Sequence, residues 1–507
     1  MNTIASRRPL TLHGLWLRLK AIAAWLGFGW GHNLRLADTY RLGSSKVRVP
    51  LDSGPIEISL GMNDKRLHLY PEVRLNERGK AVRNGNFVII DPSAHPGRIG
   101  GFLRLTPKSW VSLGSADGLQ QAVFDYPAAV DEEHLVVIHS RDALVFRNLS
   151  DTGAAIGPAV VADITAARGS RFRRLREVLG GPIGLLPAAA ALTLIQEVNR
   201  LMREDAYRPR SDLGTPGGLL LLPRTVTPIL VADMHGQVDN LLTVLSQNAF
   251  LDAIEDGSAA LVILGDAVHC EVDGQLREMQ SSMLLMDLIF RLKLRFPRQV
   301  FYVRGNHDSF SEDIAKDGIP QGLLWAKELS DQRGTVYLRA MEEFYRLLPY
   351  VVSSDDFVAC HAAAPKAEVS LPMLVNIHRH PELILELINN RLRRPNRPQG
   401  YSRGDVKRLR RSLQLDKHTP FIVGHTPMDR EGTLWLNVDG ITNHHVLFSA
   451  HPDHVAVFTR VDGVLVPLVY PVDAVSAIIN GLEDDDCQVV RRSSRAGRDA
   501  SPGVSRR

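Results

Sequence analysis

Asp233 and His235 stand two residues apart at the end of the apolar run Ile229-Leu230-Val231-Ala232, with Gly236 behind them. A carboxylate and an imidazole so placed offer the oxygen and nitrogen donors that suit Mn, Fe or Zn, with no thiolate required. Alone, the pair reads as a loop aspartate and a surface histidine. Further segments repeat the arrangement: Ala260–Leu264 leads into Gly265-Asp266, and Gln299–Val303 into Arg304-Gly305-Asn306-His307-Asp308. Phe357–Cys360 then leads into His361, and Pro420–Val423 into Gly424-His425-Thr426. Each run is short and rich in β-branched or aromatic residues, which marks a strand. In a sheet of βα units such ends lie along one edge, where open α/β folds carry their sites. Donors collected there could hold two cations bridged by a carboxylate, a pair that clamps the oxygens of an in-line phosphoryl displacement.

To bring those ends together, strands must alternate with helices. Leu241, Leu242, Val244 and Leu245 form an apolar helical face after the first motif. A second helix is predicted over 281–296 from Met283, Leu284, Met286, Leu288, Ile289 and Leu292, whose methionines read as core filler. Leu434–Asp439 and Val455–Val461 are predicted as strands completing a second sheet. The rhythm is that of an α/β protein, a layered β-sandwich flanked by helices.

Upstream the pattern changes. Val47–Leu51, Ile56–Leu60, Asn86–Ile90, Leu135–Ile138 and Ala143–Phe146 are short alternating runs between Gly, Pro, Asp and Asn clusters, which predicts an all-β domain. Its second half, with Val111-Ser112-Leu113-Gly114, Glu133-His134 and Asn148 to Gly153, is similar to a forkhead-associated domain. The resemblance implies three phosphothreonine-reading positions, and these hold Ser115, Asp131 and Thr152 in place of Arg, Ser and Asn. Asp131 would repel an anion, so a scaffold or protein-interaction module is expected. A helix over 188–203 and the Pro/Gly clusters at 207–218 separate this half from the next, and Leu219–Pro223 reads as a buried entry strand.

With 507 residues the chain can bury two or three cores. Its net charge of +4 is small, but arginines gather at 391–411 and 491–507. Without interleaved aromatics these give no specific nucleic-acid signal. Three cysteines without paired spacing predict a reducing, cytoplasmic setting rather than a disulfide framework. Leu10 to Trp30 is too short and too charged to span a bilayer and reads as an amphipathic helix, with a membrane-surface helix as the alternative. His444, His445, His451 and His454 read as surface or core histidines rather than a third metal site. Glu483–Asp486 and the arginines beyond read as a disordered tail.

The combined series Asp-x-His-Gly, Gly-Asp, Gly-Asn-His-Asp, His and Gly-His-Thr resembles the calcineurin-like metallophosphoesterases, and among them the Ser/Thr phosphoprotein phosphatases. The resemblance implies that Asp233, His235 and Asp266 hold one divalent ion (Mn, Fe or Zn), with Asp266 bridging to a second ion on Asn306, His361 and His425. It also implies His307 as general acid, with Asp308 counted among the catalytic residues, and attack on phosphorus by a metal-activated water. The implied substrate is a phosphate monoester, in that branch a phosphoprotein, with a further protein partner for the β-rich domain. One departure matters. Where the phosphatases carry Asp-Arg-Gly, the Asp orienting the acid and the Arg gripping phosphate, this chain has His269-Cys270-Glu271. Arg304 is the foremost substitute for the lost arginine, with Arg391, Arg393, Arg394, Arg397 and the rest of the basic segment behind it. A phosphodiesterase or nucleotide pyrophosphohydrolase, or a non-catalytic phosphate-binding scaffold, are the alternatives. The expected division is 1–45 amphipathic segment, 46–165 β-rich domain, 166–222 helical linker, 223–475 phosphoesterase domain and 476–507 tail.

Overall fold

Alternating apolar and polar residues fold the first half into two facing sheets. The strands are β1 His32–Asn33, β2 Tyr40–Leu42, β3 Val47–Pro50, β4 Ile56–Leu60, β5 Lys65–Leu75, β6 Ala81–Ile90, β7 Phe102–Leu105, β8 Trp110–Leu113, β9 Leu135–His139, β10 Ala143–Asn148 and β11 Ala154–Pro158. One sheet runs β1-β3-β10-β9-β8 and the other β2-β11-β4-β5-β6-β7. The period-two pattern of Val47, Val49, Ile56, Ile58, Leu67 and Leu69 buries one face of each strand. With Leu135, Val137, Leu144 and Phe146 these side chains form a single core. The structure is a computed structural model that describes residues 32–482 except 62–63, 76–80, 92–101, 116–123, 125, 160–170, 248, 431, 462 and 473. The expected N-terminal amphipathic segment to Trp30 and the charged tail from Glu483 lie outside the described residues. Two compact units result: this one comprises the chain to Pro71 with Gly85–Ile89 and Leu103–Ala159, and the second takes in the described residues after Val160.

The second unit is a layered α/β sandwich. Its strands are β12 Leu219–Leu221, β13 Thr227–Val231, β14 Ala259–Ile263, β15 Val300–Tyr302, β16 Val351–Ser354, β17 Phe357–Cys360, β18 Phe421–Val423, β19 Leu434–Trp435, β20 His444–Leu447, β21 His454–Val461 and β22 Val464–Pro471. They assemble as β15-β14-β13-β21-β22 and β12-β16-β17-β18-β20-β19. Strands β13, β14 and β15 are parallel in register Val231, Ile263, Tyr302, so their C-terminal ends come out level. Cys360 of β17 pairs in the same parallel sense with Val423 of β18. Between the sheets lies a core of Leu230, Ala232, Val262, Leu264, Phe301, Val303, Phe357, Ala359, Ile422 and Phe458. β19 stops at Trp435, short of the predicted Asp439, because Asn437 and Asp439 turn the backbone to positive φ.

Helices cover the outer faces. The helix Ala188–Arg203 buries Leu194, Ile195, Val198 and Met202, and Asn199 Nδ2 donates to Ala340 O of the helix Thr335–Leu347 at 2.8 Å. The helix Gln280–Arg295 spans nearly the predicted range. Its Asp287 meets Arg333 of the helix Gln321–Arg333 through two 2.6 Å hydrogen bonds in a fully buried ion pair. Most of the arginine-rich segment does similar work. Buried Arg410 donates to the carbonyls of Lys417, Thr442 and Asn443, Arg403 to Gly440, Arg408 to Lys366 and Arg393 to Gly400. His444 is a core histidine, held between the Tyr401 hydroxyl (2.8 Å) and Phe421 O (3.2 Å). No helix among the described residues is long and apolar enough to cross a membrane.

Candidate functional site

The level strand ends place the predicted donors in one buried cluster. Asp233 and His235 follow β13, Asp266 follows β14, Asn306 and His307 follow β15, His361 follows β17 and His425 follows β18. Asp233, His235, Asp266, His269 and His425 all have positive φ, between 42° and 68°. Such conformations are costly for residues with a Cβ and gather at functional sites. The motif glycines are explained by crowding. A Cβ on Gly305 would lie 2.2 Å from Asp266 Oδ1, and one on Gly424 would lie 2.4 Å from Asp233 Oδ1.

Backbone carbonyls fix the histidine tautomers. His235 Nδ1 faces Val268 O and His269 O at 3.1 and 3.0 Å, His361 Nδ1 faces Leu264 O at 2.8 Å, and His425 Nε2 faces Asn389 O at 3.2 Å. A nitrogen that faces a carbonyl carries the proton, so the other ring nitrogen is left with a lone pair. For His361 that nitrogen, Nε2, lies 2.9 Å from Asn306 Oδ1, 3.2 Å from Asp266 Oδ2 and 3.2 Å from His425 Nδ1. Four acceptor-type atoms thus crowd one point, and the donor atoms of Asp266, His361 and His425 all lie within 4.8 Å of one another. Asp233 Oδ1 is buried and accepts no hydrogen bond. Such acceptors repel one another unless a proton or a metal cation sits among them, and this set of oxygen and nitrogen donors fits a divalent metal.

The electrostatics point the same way. Burial disfavours the imidazolium of His361, but the facing Asp266 and Asp233 outweigh it and push its pKa up to about 9. Burial pushes Asp233 up to about 7. Burial works in the same sense on Asp266, yet His361 and His307 hold it well below the usual carboxylate range. The cluster is short of positive charge. His307, with its backbone N–H on Asp266 Oδ1 at 2.8 Å, is lowered by burial to about 4. Its Nδ1 lies 2.9 Å from His269 Nδ1. His269 therefore occupies the place of the aspartate that the resemblance implies, itself fixed by Ser282 Oγ on its backbone N–H.

Two expected roles do not match the geometry. The Asp308 carboxylate accepts from the Tyr302 hydroxyl and Gly305 N at 2.7 Å each, and from Asp266 N at 3.4 Å. It braces the loop beneath the cluster and makes no hydrogen bond to His307. Arg304 Nη1 donates to Tyr345 O and the Tyr350 hydroxyl and the guanidinium lies over the Tyr350 ring, which holds it against these two tyrosines, while its buried Nε has no partner among the described residues. Arg391 is the arginine that senses the cluster. Burial lowers its pKa while Asp233, Glu271 and Asp266 pull it up, and among the described residues its guanidinium has no hydrogen-bond partner. It follows Asn389, whose carbonyl holds His425. Sequence placed it in a group of nine basic residues without a signal to single it out.

The sequence profile of the calcineurin-like phosphoesterase family matches residues 227–455, the span that carries every one of these donors. Among solved structures, a protein serine/threonine phosphatase from Saccharomyces cerevisiae, described as similar to human phosphatase PP5, shares 17% identity over 57% of this chain and 90% of its own, with a TM-score of 0.42. A cold-active protein-tyrosine phosphatase of a psychrophilic Shewanella species shares 12% over 79% of this chain and 98% of its own (TM-score 0.35). Purple acid phosphatase PPD1 from yellow lupin shares 11% over 89% and 77% (TM-score 0.22). No curated protein matches the chain significantly. Profile and buried Asp/His cluster together identify residues 227–455 as a domain of the calcineurin-like phosphoesterase family, and the chain as a hydrolase of that metallophosphoesterase class.

Proposed function

We propose that the chain hydrolyses phosphate monoesters in the manner of a Ser/Thr phosphatase. Asp233, His235 and Asp266 would hold one divalent ion, and Asn306, His361 and His425, with Asp266 shared, the second. The observation that carries this is the crowding of acceptor atoms on His361 Nε2, within 3.2 Å of Asp266 and His425 and 2.9 Å of Asn306. When bound, two such ions would supply Lewis acidity and make water at the site more acidic.

The chain's own residues supply the rest. His307 is engaged at Nδ1 by His269, which leaves Nε2 for the leaving-group oxygen. Burial keeps His307 neutral in the free chain, and an arriving phosphate, by its negative charge, favours the imidazolium that hands a proton to the departing alkoxide. Arg391 takes the substrate phosphate, because an unpartnered guanidinium offers a fork to two phosphoryl oxygens. The β-rich unit is read as a protein-interaction module, with Asp131 engaged by Ser150 where a phosphothreonine reader needs a donor. Free Cys270 and Cys360 are in keeping with a reducing compartment.

The test is hydrolysis of p-nitrophenyl phosphate and of its bis-ester by metal-stripped chain with Mn²⁺ added back. Turnover of the monoester that falls by about 10²–10⁴-fold in His307→Ala, and at least as far in Asp266→Asn, supports the reading. Preference for the bis-ester would replace it with a phosphodiesterase. An inert chain that still binds Mn²⁺ would make it a phosphate-binding scaffold.

A further inference from the structure

The loop from Asp266 to Glu271 carries one acidic side chain that the two-ion ligand set leaves out. It wraps His235: His235 N donates to Asp266 O at 3.0 Å, Gly236 N to Ala267 O at 2.8 Å, and His235 Nδ1 faces the carbonyls of Val268 and His269. The end of the loop is pinned from outside, with His269 N on Ser282 Oγ at 2.9 Å and Cys270 O on Gln321 Nε2 at 3.0 Å. These bonds present Glu271 to the other side of the His235 ring. Glu271 Oε2 lies 3.9 Å from His235 Nε2, the nitrogen left with the lone pair. The Glu271 side chain is three-quarters covered, and its Oε2 also meets Lys316 Nζ at 2.9 Å.

We propose that Glu271 is a fourth protein ligand of the ion on Asp233, His235 and Asp266, with Lys316 as the counter-ion that keeps the carboxylate charged and aimed. This rests on the two-ion reading above. Donors on one such ion at about 2.0–2.2 Å are at most about 4.3 Å apart, so the 3.9 Å pair suits two wide-angle ligands of a single cation. An uncharged carboxamide or an empty position there would be worse on two counts, since hard divalent ions prefer charged oxygen and Lys316 would lose its partner.

The experiment titrates metal-stripped full-length chain with Mn²⁺ by calorimetry and with Co²⁺ by visible absorption, comparing wild type with Glu271→Gln, Glu271→Ala and Lys316→Met. The expected result is that both Glu271 variants, folded by circular dichroism, bind one ion at least about tenfold more weakly and show an altered Co²⁺ spectrum, while the other ion is unaffected. Lys316→Met, which leaves the carboxylate without its counter-ion, weakens the same ion by less than either Glu271 variant. If Glu271→Gln and Glu271→Ala bind both ions as wild type does, the inference fails, the two-ion reading stands, and Glu271 is the ion-pair partner of Lys316 alone. If the wild type takes up no Mn²⁺ or Co²⁺, inference and two-ion reading fall together.

Discussion

Two polar clusters, one in each unit, show what separates a site from a structural knot. In the β-rich unit Asp131, His134, Ser150 and Thr152 form one cluster, and Asp131 and Thr152 are two of the three positions that the forkhead-associated resemblance implies for phosphate reading. Donors there meet acceptors. Ser150 Oγ donates to Asp131 Oδ2 at 2.6 Å, Thr152 N donates to Ser150 Oγ at 3.0 Å, Thr152 Oγ1 donates to Ala129 O at 3.1 Å, and Asp131 N donates to His134 Nδ1 at 3.2 Å. Ser115 Oγ turns to Val130 O at 3.0 Å. The phosphoesterase cluster shares aspartate and histidine with it but leaves acceptors facing acceptors, with Asp233 Oδ1 unpartnered among the described residues and Asp233, His235, Asp266 and His425 at positive φ. A satisfied network stabilises the fold. An unsatisfied one has strain and charge held ready for a ligand.

The contrast is tested most strongly at Arg391, whose guanidinium has no hydrogen-bond partner among the described residues. Arg391→Ala should raise KM for the aryl phosphate by roughly 10–100-fold, the worth of one or two charge-assisted hydrogen bonds, and leave Mn²⁺ affinity unchanged. Arg304→Ala should change KM little, since its Nη1 is held by Tyr345 O and the Tyr350 hydroxyl and its guanidinium lies on the Tyr350 ring. The reverse ranking in steady-state kinetics would move the phosphate grip to Arg304.

The complementary test lies in the satisfied cluster. Asp131→Ala removes the acceptor of the Ser150 hydroxyl, which keeps Thr152 as a partner, and urea unfolding followed in the β-rich unit should show a loss of about 0.5–1.5 kcal/mol with hydrolysis unchanged. A drop in hydrolysis without a drop in stability would mean that Asp131 serves the active site rather than the fold of its own unit.

Much of the site was legible in the sequence because its grammar is local. A strand, a glycine and a donor form a contiguous signal, and the glycine is required because a Cβ at Gly305 or Gly424 would meet a ligand carboxylate. The helix Ala188–Arg203 and strands β13, β14, β17 and β18 were legible from apolar periodicity for the same reason. What depends on distant contacts was not. Whether Arg304 or Arg391 faces the cluster turns on how Tyr350 and Asn389 pack, residues 46 and 2 positions away. Asp308 looked catalytic beside His307, but the loop turns at these residues and its carboxylate went to Tyr302 and Gly305. The pairing of His307 with His269 joins residues 38 positions apart and follows only once β14 and β15 lie side by side.

The finest discrimination between the two clusters is the sign of a stability change. At Asp131 removing the carboxylate should weaken the chain. At Asp233 the same loss of charge should strengthen the metal-free chain, because Asp233→Asn removes a buried negative charge that faces Asp266 and an oxygen without a donor, worth about 1 kcal/mol. The sign should then invert when metal is added. Binding to the native state stabilises wild type by RT ln(1 + [L]/Kd), about 2.7 kcal/mol at a hundredfold excess over Kd, and Asp233→Asn, with a weakened ligand, forfeits most of that. Differential scanning fluorimetry with EDTA and then with Mn²⁺ reads both halves: the variant should melt above wild type in EDTA and below it in Mn²⁺. If Asp233→Asn melts below wild type in both, the carboxylate is a structural group like Asp131, and unsatisfied acceptors no longer distinguish the two clusters.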